Sequence, residues 1–155
     1  MFSGFIPNFA APQLINVSDD GYEIVDGDTI KADATIKKLT SFRLSKVDAA
    51  ESDQKFGDKA TKVANNIYPN AKDFASTINV SGTAAYNRGL FDSDKLINEL
   101  VDKGYGVPDL RYFGQKFLLN QTLTAKRKKK GIWGEISNDQ FVHPKAIQFI
   151  NQLKY

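Results

Sequence analysis

The chain has 155 residues, 41% hydrophobic and 25% charged, enough for one globular domain with a real core. It has no cysteine and a single histidine, His143, which excludes disulfides, thiolate metal sites and multi-histidine zinc sites. A net charge of +3 permits a polyanionic partner without demanding one, and no apolar run reaches the length of a membrane span.

Residues 1–20 carry no clear period. Their apolar start, with Phe2, Phe5, Ile6 and Phe9, lacks a positive end and is interrupted by Pro7 and Asn8. It therefore reads as part of the mature protein and not as an export signal. Ser18-Asp19-Asp20-Gly21 reads as a turn. Residues 22–25, 29–36 and 40–47 have β-like patterns with short links, and Phe42 and Leu44 share a face opposite Arg43. This predicts an antiparallel meander. Phe56, Ala60, Val63, Ala64 and Ile67 recur at helical spacing up to Asn66 and Pro69. Residues 74–80 and 84–91 are candidate fourth and fifth strands, joined by a turn at Ser81-Gly82.

A short helix follows, capped by Ser93 or Asp94, with Leu96, Ile97, Leu100 and Val101 inward and Gly104 at its end. Residues 105–114 look irregular. A third helix spans about 115–130, with Phe117, Leu118 and Leu123 inward. A last helix starts near Pro144, with Ile147, Ile150 and Leu153 inward and His143 at its start. The whole predicts an α+β protein. It comprises a five-stranded OB-type β-barrel with about three helices plus a C-terminal helical extension. The expected organisation is an N-terminal extension over 1–20, the main domain over 21–135 and the C-terminal extension over 136–155.

Chemistry concentrates in Asp26-Gly27-Asp28-Thr29 and in the stretch from Arg43 to Glu51. If the strands that carry them are neighbours, Asp28, Asp48, Glu51 and Arg43 converge on one small volume. Clustered carboxylates repel unless a cation offsets them, and the set suits a hard metal ion beside a phosphate. The plain alternative is a group of ordinary turn and strand-end acids.

Four stretches, in order, resemble the staphylococcal nuclease (thermonuclease) family. They are Val25-Asp26-Gly27-Asp28-Thr29-Ile30-Lys31, then Phe42-Arg43-Leu44 with Val47-Asp48-Ala49-Ala50-Glu51. Next come Tyr86-Asn87-Arg88-Gly89-Leu90 with residues 96–104, and the lysine-rich helix closing on Gly131-Ile132-Trp133-Gly134-Glu135. The resemblance implies a five-stranded OB barrel that cleaves DNA and RNA with Ca2+. It implies Asp28 and Asp48 as carboxylate ligands of the ion, with the Ala49 carbonyl as a further ligand. Glu51 is implied as general base, Arg43 and Arg88 as the grip on the scissile phosphate, and Tyr86 as a nucleotide-phosphate contact. Ala49-Ala50 stands where the family usually has Thr-Pro, and the stretch from Leu90 to Leu96 is shorter than usual. An alignment shifted there makes Arg111 the other candidate for the second arginine.

Tyr105, Tyr112 and Phe113 suit stacking on bases or packing in the core. Lys126-Arg127-Lys128-Lys129-Lys130 suits a solvated helix end, with Lys126 as a further candidate for nucleic-acid contact. Trp133 reads as a core residue. The leading expectation is a metal-dependent nuclease. Two others stand beside it. One is a structural subunit of a large assembly, such as a virus particle, meeting protein partners through the terminal extensions. The other is an OB module that binds nucleic acid without cutting it. The expected location is the cytoplasm or such an assembly, with no membrane partner.

Overall fold

A computed structural model describes residues 19–32, 39–77, 79–84, 88–112, 114–141 and 143–153. The expectations placed on residues 1–18, Tyr86 and Phe113, and on the end of the 29–36 strand, lie outside them. The strands in chain order are β1 (Glu23–Asp26), β2 (Thr29–Lys31), β3 (Ser41–Leu44), β4 (Val47–Ala49), β5 (Asn79–Ala84), β6 (Arg88–Asp92) and β7 (Gly106–Pro108). The helices are α1 (Gly57–Ile67), α2 (Ala71–Thr77), α3 (Asp94–Asp102), α4 (Lys116–Arg127) and α5 (Pro144–Gln152). Among the described residues no helix is long and apolar enough to cross a membrane.

The architecture is mixed α+β. β1, β2 and β3 form the expected antiparallel meander. β6 adds in parallel to β3, and β5 lies antiparallel on β6, giving the order β1-β2-β3-β6-β5. Among the described residues this sheet is open: no pairing joins β1 to β5. The expected single strand over 40–47 breaks at Lys46, whose φ of 74° is left-handed. Beyond the break, β4 leaves the sheet and pairs with β7 as a separate two-stranded ribbon. The expected turn at Ser81-Gly82 is instead an irregularity within β5, where the register with β6 shifts between Val80 and Gly82.

Residues 74–77, read above as the start of a strand, belong to α2. The Asn70 side chain accepts a hydrogen bond from the Asp73 amide at 2.9 Å and starts that helix directly after Pro69. Phe74 then points into the sheet, edge-on to Phe42, Tyr68 and Phe91 with ring centroids 5.3, 5.5 and 5.3 Å apart. Around these rings sit Ile30, Leu44, Leu96 and Leu100, all fully buried. In α3 the Ser93 hydroxyl accepts from the Leu96 amide at 3.2 Å, and Gly104 follows with φ of +72°, both as the sequence predicts.

A second cluster joins Val107, Leu123, Ile132 and Trp133 to Ile147 and Ile150 of α5. The C-terminal extension is thus docked on the rest of the chain. Phe117 departs from expectation: its side chain is 76% exposed. The inward face of α4 is carried by Leu118, Thr122, Leu123 and Ala125.

Candidate active site

The tight link between β1 and β2 places Asp28 beside the end of β4. A Cβ on Gly27 would stand 2.8 Å from Ala60 Cβ and 2.9 Å from Ala49 Cβ, so a side chain there would force α1 and β4 apart. The β2–β3 register sets Thr29 opposite Arg43, which brings the guanidinium over the link. Arg43 Nη1 lies 2.9 Å from Asp28 Oδ2, and Arg43 Nη2 pairs with Asp48 Oδ1. One arginine therefore bridges carboxylates from two separate elements.

The two acids are held differently. Asp28 Oδ1 accepts from the Thr29 hydroxyl at 3.0 Å, and its Oδ2 accepts from the Ala49 amide at 2.8 Å. Asp28 thereby ties the β1–β2 link to β4. Asp48 is 3% exposed, and neither of its carboxylate oxygens has a hydrogen-bond partner, although both face cationic or imidazole nitrogens. His143 Nε2 stands 3.0 Å from Asp48 Oδ2. Asp48 is thus a buried carboxylate compensated by charge, with Arg43 at one oxygen and the His143 imidazole at the other.

Asp28, Arg43, Asp48, Ala49, Glu51 and Arg88 line one cleft of about 410 Å³, together with Asp26, Thr29, Asp109, Arg111 and His143. A second cavity of about 340 Å³ shares Arg43, Arg88, Asp109 and Arg111 and is also lined by Leu44, Leu90 and Tyr112. Glu51 is exposed at the rim. Its loop is fixed by two bonds: the Glu51 amide donates to Gln54 Oε1 at 2.9 Å, and the Gln54 amide donates to the Glu51 carbonyl at 2.8 Å.

Electrostatics distinguish the acids further. Burial, then the hydrogen bond and charge of Asp28, push the Asp26 carboxyl up to about 7. Arg111 forks onto Asp109 with contacts of 3.0 and 2.9 Å. The fork holds the Asp109 carboxyl below the ordinary range and raises the Arg111 guanidinium further.

Of the residues singled out from sequence, Asp28, Arg43, Asp48, Ala49, Glu51 and Arg88 meet in one place, and Tyr112 is next to them. Lys126 is elsewhere: its Nζ donates to the Ile150 carbonyl at 3.4 Å in the last turn of α5. Tyr105 stacks on Phe56, with centroids 5.8 Å apart, and packs against the main core. Trp133 is buried as expected. Asp26, Asp109 and His143 were not among the sequence-derived site residues. The Pro108-Asp109-Leu110-Arg111 run carried a local signal for the Asp109 turn, since the Arg111 amide also donates to Asp109 Oδ1 at 2.9 Å. No sequence signal places His143 beside Asp48.

No protein-family model matches the chain, and no curated protein matches it significantly. Among the described residues no three carboxylate or imidazole groups converge closely enough to hold an ion as they stand. In this state Arg43 is the counter-ion of Asp28 and Asp48. Chemically the cleft offers oxygen donors, two further guanidinium groups and an exposed carboxylate within reach of water.

Proposed function

We infer that the protein is a cation-dependent nuclease that hydrolyses phosphodiester bonds in DNA or RNA. The observation that carries this reading is the convergence of Asp28, Asp48, Glu51, Arg43 and Arg88 on one cleft. It agrees with the four ordered stretches that resemble the staphylococcal nuclease family. Closure of the sheet as an OB-type barrel belongs to the same reading.

The cleft's oxygen donors suit a hard cation such as Ca2+ in chemical type, and an ion could take the place that the Arg43 guanidinium holds between Asp28 and Asp48. Asp28, Asp48 and the Ala49 carbonyl would hold the ion. When bound, it would polarise a phosphoryl oxygen. Glu51 would take the proton of a water as that water's oxygen bonds to phosphorus and the bond from phosphorus to the leaving sugar oxygen breaks, that oxygen taking a proton from solvent; such a base contributes about 10²–10⁴ in rate. Arg43 and Arg88 present forked donors matched to phosphate oxygens. For this, Arg43 turns from the two aspartates to the substrate. Tyr112 borders the adjoining cavity and would flank a nucleoside next to the phosphate; Tyr86 is the further candidate contact for the substrate.

The reading as a structural subunit drew on apolar segments at both ends. The buried face of α5 packs within its own chain, against Val107, Leu123, Ile132 and Trp133, which removes that support from the tail. The non-cutting module differs from the nuclease in one consequence, the need for Glu51. Plasmid and single-stranded DNA incubated with the protein should be degraded with Ca2+ and spared with chelator. Glu51→Gln should lose at least about a hundredfold in rate. Full activity in that variant removes the mechanism, and DNA binding without cleavage by the wild type favours the module.

A further inference from the structure

We propose that the C-terminal extension completes the cation site through His143, a positioning residue that holds Asp48 when Arg43 turns to the substrate phosphate. The inference rests on the nuclease reading above and concerns a residue outside the stretches that resemble the nuclease family.

Asp48 has two neighbours of opposite or complementary character, Arg43 at Oδ1 and His143 Nε2 at 3.0 Å from Oδ2. Arg43 is the neighbour that the reaction takes away. Without a second one, this carboxylate, 3% exposed, would have no polar neighbour to set its orientation, and the ion would lose an oriented ligand. His143 remains in place because its backbone is anchored. Its carbonyl accepts from the Ala146 and Ile147 amides at 2.9 and 3.2 Å, and Ala146, Ile147 and Ile150 are fully buried.

The anchoring also sustains an uncommon conformation. His143 has φ of 48° and ψ of 65°, left-handed values that a residue with a Cβ seldom adopts, and it directly precedes Pro144. Such strain persists only where the surroundings impose it, and it concentrates at working sites. Here the conformation turns the imidazole to the cleft, where it stays 51% exposed while touching Asp48. A carboxylate oxygen has more than one lone pair, so Oδ2 can face the imidazole and still ligate an ion.

The test is calorimetric titration of the metal-free, full-length protein with Ca2+, with no nucleic acid present. His143→Gly removes the imidazole while suiting the positive φ, so the fold is kept, which a melting curve checks. Its Ca2+ affinity is expected to fall about 10–100-fold, the usual effect of losing a group that orients a metal ligand. His143→Gln, whose amide nitrogen reaches a similar distance, is expected to recover most of that loss. Affinity within twofold of wild type in His143→Gly overturns the inference and leaves the nuclease reading standing. Tighter binding also overturns it, since His143 would then be a competitor of the ion. A loss that His143→Gln shares in full overturns the role of Nε2. Absence of Ca2+ binding by the wild type overturns the cation-dependent reading and this inference with it.

Discussion

Gly57→Ala isolates the position of Glu51 without altering any charged group. Gly57 opens α1, and a Cβ built there would stand 1.9 Å from the Glu51 carbonyl oxygen, 2.7 Å from its carbonyl carbon and 2.9 Å from Ser52 Cα. Real Cβ atoms essentially never approach closer than 3.0 Å. The obstacle is backbone, and the loop must retreat by at least about 1 Å, disturbing the Gln54-to-Glu51 hydrogen bond. A misplacement of about 1 Å at a catalytic group lowers the rate by about a hundredfold, or about 2.7 kcal/mol of barrier. The accompanying overpacking should destabilise the fold by about 1–3 kcal/mol, a drop in Tm of a few degrees to about ten. The assay is cleavage of a fluorescently quenched single strand in Ca2+, run well below the melting temperature of the variant. Gly114→Ala is the control, because a Cβ there meets nothing within 4 Å. A Gly57→Ala protein that is folded and cleaves within threefold of wild type would refute the claim that the rate depends on where the 51–54 loop holds Glu51.

Arg43→Ala leaves the buried Asp48 carboxylate without its guanidinium, which should cost about 3–5 kcal/mol. Its melting temperature should drop accordingly, and Ca2+ should restore more of it than it adds to wild type; equal shifts would count against a cation near Asp48. Ile147→Ala empties a fully buried position where α5 docks, with an expected loss of about 2–5 kcal/mol in denaturant titration. The Asp109 carboxyl should titrate below the ordinary carboxylate range by carbon NMR and move upward in Arg111→Ala, where burial is left to oppose its charge. Because its folded value is depressed, the contribution of this pair to stability is present above the ordinary carboxylate pKa. It fades as the pH drops through the lowered value.

Much of the fold was legible because local chemistry and tertiary packing agreed. The alternation through Phe42, Arg43 and Leu44, the cap at Ser93 and the left-handed glycine at 104 each specify one backbone state. The misreadings came where two signals competed. Residues 74–80 look like a strand by composition, yet Pro69 and the Asn70 cap commit their first half to helix. Phe117 fits a helical stripe but falls on the solvent side, since packing and not periodicity selects the buried face. At Lys46 nothing in the residue type announces a left-handed turn; pairing of β4 with β7 imposes it.

The site divides in the same way. Asp28 and Arg43 meet through the pairing of adjacent strands, and Asp48 and Glu51 follow Arg43 within a few residues, so they lie near it although β4 has left the sheet. His143 reaches Asp48 through the docking of a helix far along the chain, and Lys126 is taken up by the end of that helix. Contacts of that kind have no sequence period to betray them.

The parallel pairing of β3 with β6 carries a further consequence. Arg43 and Arg88 share a cleft only after a long intervening segment has closed on itself, since the two strands are not joined by a hairpin. Such non-local pairing is entropically expensive and forms late in folding. The meander alone, which forms from adjacent residues, carries Arg43 but not its partner. A chain emerging during synthesis would thus hold Arg43 without Arg88 beside it until β6 had joined the sheet.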